Sequence, residues 1–144
     1  MDQDQLYPLV MTTIGHALDG NSAAAASSMM EIGQQGDHYD VYGACCAFAE
    51  VGKAALKKIY GDRAPDPSRG DMWAMHLLKP GEADGPDLFA SRFIVAYANN
   101  DPDATLALFH SALDASDDEY VSSVAALLAA MAGLSRLALD QPAT

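Results

Sequence analysis

Apolar residues recur at three- and four-residue intervals along most of this chain, the period of one face of an α-helix. Leu9, Val10, Thr13, Ile14, Ala17 and Leu18 follow Pro8, which a first helical turn tolerates, so residues 7–18 read as an amphipathic helix. Asp19-Gly20-Asn21 stops it. Asn21 or Ser22 can cap a second helix over 23–34, with Ala26, Met29, Met30 and Ile32 as its apolar side. From His38 to Tyr60 the stripe Val41, Cys45, Phe48, Gly52, Ala55 and Ile59 alternates four- and three-residue steps on one long helix. Glu50, Lys53, Lys57 and Lys58 lie largely off that stripe, facing water.

Residues 61–87 break the pattern with Pro65, Pro67, Pro80, Pro86, Gly61, Gly70, Gly81 and Gly85, and read as a connector. Met72, Trp73, Met75, Leu77 and Leu78 make it too apolar for a free linker, so it is expected to dock on the helices. Helical spacing resumes at Leu88, Phe89, Phe93, Ile94, Ala96 and Tyr97 and ends at Asn99-Asn100. Asp101-Pro102-Asp103 starts a helix running to about Asp114. Ser116-Asp117-Asp118-Glu119 has the form of a capping box for a last helix, Glu119 to Leu139.

Shifted by 81 residues, the chain matches itself at Asp37 and Asp118, Tyr39 and Tyr120, Ala44 and Ala125, Gly52 and Gly133, and Leu56 and Leu137. The expectation is one all-α domain over 1–144: six main helices as two related three-helix units, 6–60 and 88–140, joined by the docked connector 61–87. Short hairpins of this kind are similar to tetratricopeptide-type helical repeats, although no 34-residue motif matches position by position. The paired glycines would permit close helix crossing between the halves.

Composition sharpens this picture: 27 of the 144 residues are Ala, the strongest helix former, and half are hydrophobic, enough for a core. A net charge of −12, spread through the chain, opposes direct binding to nucleic acid or to an anionic membrane surface. The polar, acidic start Met1-Asp2-Gln3-Asp4-Gln5 does not resemble a signal peptide. Val124 to Leu134 is apolar but too short for a bilayer, so it is expected to be a buried helix. Cys45 and Cys46 are sequence neighbours and staple nothing, which fits a reducing cytoplasm.

Candidate chemistry is sparse. His16, His38, His76 and His110 include no pair at the four-residue spacing of a helix-borne metal site, and His16 with Asp19 comes closest. No metal and no cofactor is expected. A vicinal disulfide between Cys45 and Cys46 would strain a regular helix, so Cys45 reads as a small hydrophobe. Asp114, Asp117, Asp118 and Glu119 crowd one turn, where capping explains acids without calcium. There is no Gly-x-Ser-x-Gly and no glycine-rich phosphate loop.

The function these features favour is a non-catalytic interaction or scaffold protein. It is expected to be a homo-oligomer, a dimer first, through Val121, Val124, Leu128 and Met131 of the apolar last helix, or to bind a basic or apolar protein segment. Two rivals stand beside it. One is a small-molecule-binding protein or enzyme with a pocket between the halves under the connector, lined by Trp73, His76, Met72, Tyr39, Tyr97 and Tyr120. The other is an acidic decoy of a basic nucleic-acid-binding protein.

Overall fold

A computed structural model describes residues 1–73 and 85–140. The first helix, α1 (Gln3–Leu18), begins before the expected start because Asp2 and Gln5 form a capping box. Gln5 N–H donates to the Asp2 carboxylate at 3.0 Å and Asp2 N–H donates to the Gln5 side chain at 3.4 Å. Pro8 therefore lies inside the helix and removes one of its amide donors. In α2 (Ser22–Gln35), capped by Asn21, the buried face runs through Ala25, Met29 and Ile32. Ala26 and Met30, expected to face inwards, face solvent.

The third helix, α3 (His38–Tyr60), keeps the expected bounds and buries Val41, Cys45, Phe48, Gly52 and Ala55, with Ile59 half-buried. Two short 3-10 turns, Gly61–Arg63 and Pro67–Arg69, carry the chain to Trp73. The Asn99 side chain clasps its backbone, accepting from Trp73 N–H at 2.6 Å and donating to its carbonyl at 3.1 Å. The buried indole meets the Tyr60 ring edge-on at 5.5 Å. Met75, His76, Leu77 and Leu78 lie outside the described residues.

The second half contains α4 (Gly85–Ala98), α5 (Pro102–Asp114), capped by Asp101, and α6 (Asp117–Leu139), capped by Ser116 accepting from Glu119 N–H. Among the described residues there are six α-helices and no strand, so the fold is all-α. The core centres on α6, which packs mainly on α3 and α4. Phe48, Leu56, Phe93, Leu127 and Met131 are fully enclosed there, each burial stabilising the fold by roughly 1.5–3 kcal/mol. By length and composition alone α6 could cross a membrane, but here it is the central helix of the bundle.

The two halves have helices of similar lengths in the same order: 16, 14 and 23 residues, then 14, 13 and 23. Their buried stripes coincide when Ile14 is set on Ile94, Ala25 on Thr105, and Phe48 on Leu127. This register is one to two residues shorter than the 81-residue shift of the sequence identities. Those identities fall in unlike places: Leu56 is buried and Leu137 exposed, Ala44 buried and Ala125 exposed. Gly52 does admit a close crossing, with Ile94 of the second half 3.4 Å from where its Cβ would stand, whereas Gly133 has no neighbour within 4 Å. The α1–α2 and α4–α5 corners also share their hydrogen bonds. Gly20 N–H donates to Ala17 as Asn100 does to Tyr97, and Asn21 N–H donates to His16 as Asp101 does to Ala96. Gly20 and Asn100 both sit at positive φ, 79° and 57°.

Candidate functional site

Among the described residues, the expected pocket residues do not converge. Tyr39 is 75% exposed at the start of α3, against His38, while Trp73 is buried near the other end of that helix against Tyr60. Tyr120 is half-buried against Phe109, Met72 is exposed, and His76 lies outside the described residues. Of the expected interface, Val124, Leu128 and Met131 are core residues already covered within one chain, and Val121 alone is exposed. These apolar positions of α6 face α3 and α4 because the central helix of a bundle is covered on several sides.

A cavity of about 300 Å³ does open between the halves, at the α4–α5 corner. Its walls are Tyr42, Cys46 and Lys53 of α3, and Tyr97, Asn100, Asp101, Pro102 and Thr105 across from them. Helical spacing sets the first three on one flank of α3, and the corner turn supplies the rest. Thr105 Oγ1 donates to the Pro102 carbonyl at 3.0 Å, so in the 2.9 Å contact with Tyr42 the phenol is the donor. The Cys46 thiol lines the same wall. Lys53 Nζ stands 5.9 Å from the centre of the Tyr97 ring.

Burial, reinforced by a hydrogen bond to Glu50, pushes the Tyr97 phenol up to about 12. Burial likewise raises Tyr42 and Cys46. All three groups stay protonated at neutral pH, so the cleft holds hydrogen-bonding groups and a lysine but no thiolate or phenolate nucleophile. Cys45 is buried deeper, its thiol also pushed up by desolvation, and both cysteines are free. Among the described residues no three His, Cys, Asp or Glu side chains converge as metal ligands.

A second concavity, about 330 Å³, lies where the C-terminal parts of α3 and α6 run side by side next to the end of α1. Leu18, Val51, Ala54, Ala55, Ala138 and Leu139 form an apolar floor, with Lys58 and Arg136 at its rim. Arg136 donates to the Ala17 carbonyl at 3.2 Å, tying α6 to the corner of α1.

Sequence reading placed Tyr97 among pocket candidates but took Lys53 for a solvent-facing charge and passed over Asn100, Asp101 and Thr105. Asp101 carries a local signal only, as the helix cap, and nothing local reveals that α3 lies opposite it. Comparisons of this chain with protein-family models, curated proteins and solved structures found no match.

Proposed function

We propose that this chain is a non-catalytic helical interaction protein that associates with a second copy of itself through the groove between α1, α3 and α6. The observation that carries the reading is the groove's apolar floor, on which Leu139 is 76% and Leu18 39% exposed. Two chains of net charge −12 repel one another, so a contact between them forms most readily where basic groups offset that repulsion. Lys58 and Arg136 on the rim supply them. A contact of this kind uses Leu139 and Leu18 in place of the buried Val124, Leu128 and Met131.

The halves are read as copies of one three-helix unit, supported by the shared corner hydrogen bonds and the coincident buried stripes. The clasp on Trp73 supports a docked connector. Two free cysteines fit a reducing compartment.

Sedimentation at tens of micromolar tests the association. The wild type is expected to run as a dimer, and Leu139→Glu as a monomer with unchanged far-ultraviolet circular dichroism. Leu128→Glu is unsuitable, because it places a charge in the core. A monomeric wild type, or a dimer dissociated by Val121→Glu and not by Leu139→Glu, overturns the reading.

A further inference from the structure

The polar side chains of the α4–α5 cleft are not needed to build the corner that holds them. The α1–α2 corner makes the same turn, with the same backbone hydrogen bonds, from Ala17, Gly20, Asn21 and Ala25 where the cleft has Tyr97, Asn100, Asp101 and Thr105. In the same register α6 sets Val121, Ala125 and Ala132 where α3 sets Tyr42, Cys46 and Lys53. Apart from the capping Asn21, small or apolar groups thus suffice for the scaffold on one side, while the other side gathers hydroxyl, amide, ammonium and carboxylate groups around one cavity.

Part of that set is satisfied internally: the Tyr42 phenol donates to Thr105, which donates to the Pro102 carbonyl. What remains is a charge on each wall. Lys53, on α3, has no carboxylate within ion-pair distance among the described residues and rests over the Tyr97 ring. Asp101, on the corner, accepts from Ala104 N–H at 3.1 Å through one carboxylate oxygen. The Asn100 side chain lies beside it.

We propose that this cleft binds a small zwitterionic amino-carboxylate, with the ligand carboxylate on Lys53 and its ammonium on Asp101. A plain anion is repelled by Asp101 and Glu50, and a plain cation by Lys53. A ligand carrying both charges meets a partner on each wall. The cavity, about 300 Å³, is at the lower end of the range for small-molecule sites and suits a ligand of this size.

Calorimetric titration of the full chain with glycine, β-alanine, 4-aminobutyrate and 6-aminohexanoate tests this, with butyrate and butylamine as singly charged controls. One chain length is expected to bind saturably, with both controls weaker by about tenfold or more. Lys53→Met keeps the apolar stem and should weaken the zwitterion by about tenfold without weakening butylamine. Asp101→Ser keeps a helix cap and should weaken the zwitterion without weakening butyrate. Lys53→Gln replaces Lys53→Met if the latter does not fold. The proposal is overturned if no member of the series gives saturable heat, if a control binds as tightly as the zwitterions, or if both variants bind like wild type.

Discussion

The α1–α2 and α4–α5 corners are one backbone design carrying two sets of side chains. Each helix ends in a residue at positive φ, followed by a capping Asn21 or Asp101 that accepts from the amide three residues on. Behind that shared turn the halves diverge. The second packs Phe89, Phe93 and Phe109, with Tyr42 and Tyr120 edge-on to the Phe109 ring. Buried positions of α1 and α2 are Leu6, Val10, Thr13, Ile14, Ala17, Ala25 and Ile32, with no aromatic ring. Backbone geometry is thus set by caps and helix period, and what each corner can hold is set by side-chain size and polarity.

The largest break in that comparison comes from truncating matched core positions. Phe93→Ala should cost about 3–5 kcal/mol of unfolding free energy. Thr13→Ala, its register partner, should cost about 1, because Thr13 chiefly loses a bond to the Leu9 carbonyl and leaves a small void. Denaturant unfolding checks both, and equal costs would show that the halves are packed alike. Next, Asn99→Ala removes both bonds to Trp73 and should cost about 1–3 kcal/mol, with Trp fluorescence shifting towards that of free indole and becoming quenchable by iodide. Asp19, its counterpart, is exposed, and Asp19→Ala should stay within about 0.5 kcal/mol. Tyr42→Phe should cost about 0.5–1.5 kcal/mol, since Thr105 keeps its bond to Pro102.

The smallest effect is on pH dependence. Tyr97 and Tyr120 both have phenols held at about 12 in the folded chain, chiefly by burial, against 10.0 when unperturbed. A raised folded-state value means that the unfolded chain loses these protons first. Their contribution is present in full below pH 10 and fades as pH rises towards 12. Melting temperature should therefore fall across that window, and less steeply in Tyr97→Phe.

Helix existence was legible because Ala content, Asn21, Asp101 and Ser116 caps, and three-four spacing all agree. The start of α1 was missed because Asp2 and Gln5 look like a polar tail unless read as a capping pair. The similar helix order of the two halves was visible in outline, but identities such as Leu56 and Leu137 do not follow the burial pattern, where one is buried and the other exposed. Val124, Leu128 and Met131 looked like surplus apolar surface because sequence does not say that α6 is the helix the others surround. Lys53 and Asp101 are far apart in the chain, and only the packing of α4 on α3 brings them to one cavity.

The central claim is that Lys53, Asn100 and the charge of Asp101 are cargo on a scaffold that stands without them. Thermal unfolding of Lys53→Ala/Asn100→Gly/Asp101→Asn, which gives those three positions the residues of their register partners Ala132, Gly20 and Asn21, tests it directly. Glycine accepts the positive φ of position 100, and asparagine caps as aspartate does. The account predicts one cooperative transition within about 5 °C of wild type, each change being worth under about 0.5 kcal/mol. A transition that is lost, or lowered by tens of degrees, would contradict it and make those residues part of the fold itself.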